Sequence, residues 1–171
     1  DKISVGPVTT ALFMFPVGCA VAQVIMGFIS DGKGRKAAAI TTATNCLLTF
    51  VGFWLGAKLN WNPLLVGFLC GACVGSFYSV NDVIIMMVGE SSPTNLRSST
   101  MSAEFIVVAI GVAVSYIVSI PTVSILGNQV MGTVAVALLV PGFIAGLYLL
   151  VRKTHDTKGI DMDTVTGTEW D

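Results

Sequence analysis

The chain has long gaps between its charges, and these gaps limit its possible folds more than any other feature. Residues 3–30, 37–57, 59–81 and 105–151 contain no Asp, Glu, Lys or Arg. Only 11% of the 171 residues are charged and 54% are hydrophobic, whereas a soluble domain carries about 25% charged residues. Short polar segments hold nearly all the charges, and the runs between them reach the ~20 residues a spanning helix needs. An all-α integral membrane protein with five transmembrane helices is therefore expected.

The spans are expected at residues 9–30, 37–57, 63–89, 101–120 and 129–150, with outer loops at about 58–62 and 121–128. Membrane helices tolerate interior Gly and Pro, so Pro16 and Pro141 predict at most kinks in the first and fifth spans. Residues 1–151 form the expected bundle, and residues 152–171 a polar cytoplasmic tail. Seven of the nine Lys and Arg residues fall on one side of these spans: Lys33, Arg35, Lys36, Arg97, Arg152, Lys153 and Lys158. Lys2 and Lys58 fall on the other. Positive residues are retained inside, so the expected orientation has the N-terminus outside and the C-terminus in the cytoplasm. The expected location is the plasma membrane, with several passes. Trp54 and Trp61 flank the outer end of span two, where interfacial anchors sit.

Several function classes are disfavoured by the residue inventory. A net charge of -1 offers no basic surface for nucleic acid. Cys70 and Cys73 have redox or zinc spacing. There is no second pair and the only histidine is His155 in the tail, so the four cysteines read as small packing residues. No metal or cofactor is expected. A membrane enzyme needs a nucleophile–base pair or metal ligands, and a channel needs a filter or charged ring; neither pattern occurs.

Three segments carry a resemblance. The loop Gly27-Phe-Ile-Ser-Asp31-Gly-Lys-Gly34-Arg35-Lys36 resembles the G-x-L-A-D-R-x-G-R-K/R loop of the major facilitator superfamily, with Gly32 in place of the usual Arg. Glu90-Ser-Ser-Pro93-Thr94-Asn-Leu-Arg97 resembles the E-x-x-P-T-x-x-R loop. Asp156-Thr157-Lys158-Gly159 resembles the P-E-T-K-G element of sugar-porter-like members, with His155 and Asp156 replacing Pro and Glu. In order and spacing the three resemble helices eight to twelve of a twelve-helix transporter. The resemblance implies a C-terminal half without its first helix. It also implies a secondary active transporter of a sugar, polyol or organic acid, working by alternating access with a proton as candidate coupling ion. The implied partners are the small-molecule substrate, the bilayer, and the N-terminal half or a second copy. The alternative is a membrane module without autonomous transport, acting through a partner or as a homodimer.

Gly27, Asp31, Gly34, Arg35, Glu90 and Arg97 are the expected gate. Alternating access needs contacts made in only one state, and weak interfacial ion pairs suit that need. Arg97 is expected to pair with Asp31, and Glu90 with Arg35. Asp31 is also expected to accept from backbone N–H groups at the start of span two, where the helix dipole favours a carboxylate. Lys33 and Lys36 read as topology signals.

Within the spans Asp82 stands out. It lies eight residues before Glu90, about 12 Å inside that end, and an ionisable group there should face a cavity or a partner. It is either a proton- or substrate-linked carboxylate or a member of the charge cluster paired with Arg97. Gly67, Gly71, Gly75 and Ser79 precede it at four-residue spacing, a stripe that serves close helix contact or leaves room for substrate. Gln23 and Asn45 are candidates for substrate or interhelical hydrogen bonds. Asn81 points elsewhere on the helix from Asp82, and Glu104, one turn into span four, is expected to be interfacial and solvated.

Overall fold

The computed structural model describes residues 5–161 and Val165. It consists of five helices: α1 (Val5–Lys33), α2 (Arg35–Lys58), α3 (Pro63–Glu90), α4 (Arg97–Leu126) and α5 (Asn128–Lys153). Four described stretches, Gly6–Lys33, Arg35–Lys58, Pro63–Glu90 and Arg97–Val118, are long and apolar enough to cross a membrane. At 1.5 Å per residue the 28-residue α3 is about 42 Å long, enough for the ~30 Å hydrocarbon core and part of the headgroup layer.

The helices run further than hydropathy alone predicts. The turn between α1 and α2 shrinks to Gly34, whose φ of 104° and ψ of 166° lie in a region open essentially to Gly alone. The expected outer loop at 121–128 shrinks to Gly127: α4 continues through Pro121 to Leu126, and α5 begins at Asn128. Helix persists here because a membrane helix keeps its own backbone bonds wherever hydrocarbon or a neighbour excludes water. Asn62 caps α3 by accepting from the Leu64 N–H at 2.9 Å, with Pro63 at the first helical position, where a missing N–H costs nothing. Lys58 lies 4.7 Å from the Trp54 ring, a cation–π contact at the outer end of α2.

Packing runs opposite to that of a soluble core. The most enclosed residues are small: Ala38, Ala39 and Thr42 at 0% exposure, and Ser76 at 1%. Phe13, Phe28, Ile117 and Ile125 lie mostly exposed. In lipid there is no hydrophobic force between helices, so close backbone approach through small residues holds them together. The α1–α3 seam shows this directly. A Cβ on Gly75 would lie 2.6 Å from the Cys19 carbonyl oxygen. One on Gly67 or Gly71 would lie closer still to the carbonyl oxygens of Ala11 or Phe15, and one on Gly18 would strike that of Phe68. The glycine stripe of α3 is therefore filled by the backbone of α1. It does not line a path.

α2 packs on α3, and α5 on α2. Across the α2–α3 interface Asn45 Nδ2 donates to the buried Ser76 Oγ at 2.7 Å, and the Cys46 thiol donates to the Cys73 carbonyl at 3.6 Å. All four cysteines are free thiols.

Candidate functional site

The ends of α1, α2 and α3 that carry the charges converge on Arg35. Its Nε lies 3.2 Å from Glu90 Oε1, and its Nη1 lies 3.3 Å from Asp31 Oδ1 and 2.9 Å from Ser30 Oγ. The Arg35 and Glu90 side chains are only 22% and 19% exposed, whereas that of Asp31 is 84% exposed. The guanidinium fork therefore ties the last turn of α1 to the last residue of α3. Bidentate Arg geometry suits such bridging.

The tail closes over this cluster. The first backbone N–H of α2, that of Arg35, donates to Asp156 Oδ1 at 3.1 Å. A carboxylate there complements the helix dipole and satisfies an orphan donor. Asp31 was expected in that role; Asp156 takes it because the one-residue turn at Gly34 leaves the α2 terminus open to the tail. A Cβ on Gly34 would fall on the Asp156 carboxylate. The Thr157 hydroxyl donates to Glu90 Oε2, and Lys158 Nζ donates to the Gly32 carbonyl at 2.6 Å. Lys36 Nζ donates to the carbonyls of Val151 and Thr154 at 2.9 and 2.8 Å. It thus caps the C-terminus of α5, where a cation belongs.

Arg97 differs from expectation. Its Nε donates to the Gly89 carbonyl at 2.8 Å, and its Nη2 to that of Ser92 at 3.5 Å. It caps the C-terminal end of α3, sharing the Gly89 carbonyl with the Ser92 N–H and placing a cation where the helix dipole favours one. Asp31 pairs with Arg35 across the Gly34 turn instead, because that partner is local whereas Arg97 is held by its own loop.

Asp82 lies on the wall of a cleft of about 300 Å³ between α1 and α3, lined in part by Gln23, Gly27, Ser30, Ser79 and Asp82. Ser30 belongs to both the cleft and the Arg35 cluster, so the two adjoin. The Asp82 side chain is exposed and makes no hydrogen bond or ion pair among the described residues. Its pairing with Arg97 is not observed. Asn81 is half-buried and outside the cleft, and Asn45 is committed to Ser76.

Glu104 is a correction. It is half-buried, and its Oε2 is enclosed with no hydrogen-bond partner among the described residues, not solvated. Arg97, Met101 and Glu104 share one face of α4 at helical spacing. Met101 Sδ lies 3.3 Å from where a Gly89 Cβ would be, so that face turns toward α3. No cluster of potential metal ligands occurs among the described residues.

Long apolar helices joined by tight turns, small-residue seams and an apolar exterior define a multi-pass helical membrane protein. Residues 7–155 match the family model described as "Sugar (and other) transporter", and the chain belongs to that family, the sugar porters of the major facilitator superfamily. It is 30% identical over 158 residues to solute carrier family 2, facilitated glucose transporter member 4, of Mus musculus; the alignment covers 88% of this chain and 30% of the relative. It is 30% identical over 105 residues to sugar transporter ERD6-like 16 of Arabidopsis thaliana, covering 60% of this chain and 20% of the relative. It is 28% identical over 127 residues to facilitated glucose transporter member 7 of Homo sapiens, covering 73% and 24%. The chain thus spans less than a third of the length of these relatives. No solved structure matches it significantly.

Proposed function

We propose that this chain supplies the C-terminal helices of a secondary transporter that moves a sugar or similar small polyhydroxy solute across the plasma membrane by alternating access. The observation that carries the proposal is the half-buried Arg35–Glu90 pair, which joins α1, α2 and α3 at one end. Helices tied at one end by breakable charges can separate there without losing the apolar seams that hold them elsewhere. The tail contacts of Asp156, Thr157 and Lys158 add to the same latch, which faces the cytoplasm. Gln23 and Asp82 contact solute from the adjoining cleft, and Asp82 is the candidate proton carrier.

The test is uptake of radiolabelled hexose into cells lacking endogenous hexose carriers, with the chain expressed alone and together with the N-terminal half of a sugar porter. Uptake above the empty-vector level in either setting supports the proposal. It should fall at least tenfold in Arg35→Gln. With Asp82→Asn, uptake should continue while its stimulation by an inward proton gradient is lost. An unchanged proton response removes Asp82 from the coupling scheme.

A second reading draws on the short span of the relatives covered. Five helices do not supply two bundles rocking around a central site. On this reading the chain is a module that acts only with a partner or as a homodimer. Intact mass of the gene product in its native membrane separates the two: a mass near that of this chain favours the module, and about twice that or more favours a full transporter.

A further inference from the structure

The backbones of α3 and α5 do not come close to each other among the described residues; α2 and α4 bridge them. Between them run two adjoining cavities of about 710 and 360 Å³ that share Ile84, Gly146 and Leu150. The inner one is apolar throughout, with Ala43, Val80 and Phe143 among its walls. The outer one ends at Ser91, Lys153, Thr154 and His155, and among the described residues no carboxylate lines either. From Leu139 to Lys153 the furrow follows fifteen residues of α5, about 21 Å, or roughly half of a bilayer that is about 40–45 Å thick with its headgroups. It therefore has the depth of one leaflet.

The glycines of this furrow differ from those of α3. Gly142 and Gly146 have the same four-residue spacing, yet a Cβ on either would meet nothing within 4 Å. The spacing that seats the α1 backbone against α3 here leaves open space. At the mouth Lys153 is exposed and has no hydrogen-bond or ion-pair partner among the described residues. Lys36 and Lys158, by contrast, are both engaged with backbone carbonyls.

We propose that the α3–α5 furrow binds a membrane phospholipid with an anionic headgroup, one acyl chain lying along Ile84, Gly142 and Gly146 and the phosphate facing Lys153. An apolar slot one leaflet deep with a free cation at its interfacial mouth matches both ends of such a lipid. Juxtamembrane Lys and Arg attract anionic headgroups.

The test uses the full chain purified in detergent, with native mass spectrometry after addition of phosphatidylglycerol or phosphatidylcholine of equal chain length. Phosphatidylglycerol should be retained one-to-one, with an apparent Kd about fivefold lower than that of phosphatidylcholine, the ratio one interfacial lysine supplies. Lys153→Gln should bring the two lipids to parity. Gly146→Leu should weaken both by tenfold or more, because it fills the furrow. Lys153→Gln alters an exposed side chain, so its result stands even if Gly146→Leu misfolds. Equal binding of the two lipids by the unaltered chain overturns the proposal. So does a Gly146→Leu protein that keeps its lipid but loses a dimer or its association with a transporter half, since a protein helix then occupies the furrow.

Discussion

Replacing Gly71 with Ala adds one methyl group at the middle of the α1–α3 seam and should loosen the bundle. The Cβ would fall on the Phe15 carbonyl, which belongs to helix backbone and cannot rotate away. At the neighbouring Gly75 the corresponding distance is 2.6 Å, roughly 0.7 Å short of the ~3.3 Å at which a carbon and a carbonyl oxygen rest in close helix contacts. The shortfall at Gly71 is larger. Either α1 moves off α3 along several turns or the backbone bends, and overpacking of this kind costs about 1–3 kcal/mol. For a chain of this size that corresponds to a fall in Tm of about 2–12 °C. The assay is thermal unfolding in a mild detergent, followed by size-exclusion of the fluorescently tagged protein. Gly111→Ala is the control: it lies in a membrane helix too, but its Cβ would meet nothing within 4 Å. Gly71→Ala should melt well below wild type and Gly111→Ala at or above it, since Ala is the better helix former. Equal melting of the two variants would refute a seam filled by the α1 backbone.

Gly34→Ala should destabilise by about 1–3 kcal/mol, because its backbone conformation suits only Gly. Adding Asp156→Gly should relieve the clash with the tail but not the backbone strain, so full recovery in the double variant on denaturation would contradict this account. Arg35→Gln and Glu90→Gln should each cost about 1.5–3 kcal/mol, the range for hydrogen bonds to charged groups, and a double-mutant cycle of unfolding free energies should show them strongly coupled; additive losses would mean the pair carries no energy. Asn45→Leu should cost about 0.5–2 kcal/mol by removing the bond to Ser76 and leave the substrate KM unchanged. A large rise in KM at normal stability would return Asn45 to the solute path.

The partners of the charged residues were only partly legible. The Arg35–Glu90 pair followed from two loops placed at the same end by charge asymmetry, and the structure has it. The Asp31–Arg97 pair rested on the same reasoning and is absent, because each residue has a nearer partner: Arg35 across the Gly34 turn for Asp31, and the α3 carbonyls for Arg97. Asp156 at the α2 terminus left no local signal. A cap supplied across 121 residues depends on where α5 delivers the tail.

The sequence by itself determined that these helices cross a membrane and, approximately, where. Exclusion of water is a property of local composition, and twenty uncharged apolar residues state it wherever they sit. The three loop segments likewise pointed to the sugar-porter family without reference to packing. Only the tertiary structure decided what each helix face meets. Glycines at four-residue spacing on α3 and α5 read alike in sequence, yet one pair of helices closes over its stripe and the other leaves a furrow. Glu104 was legible as a carboxylate near a helix start, but not as one with an enclosed oxygen. In each case the deciding group lies on another helix, and in lipid the seating of one helix on another depends on backbone approach and shape, which no single segment encodes.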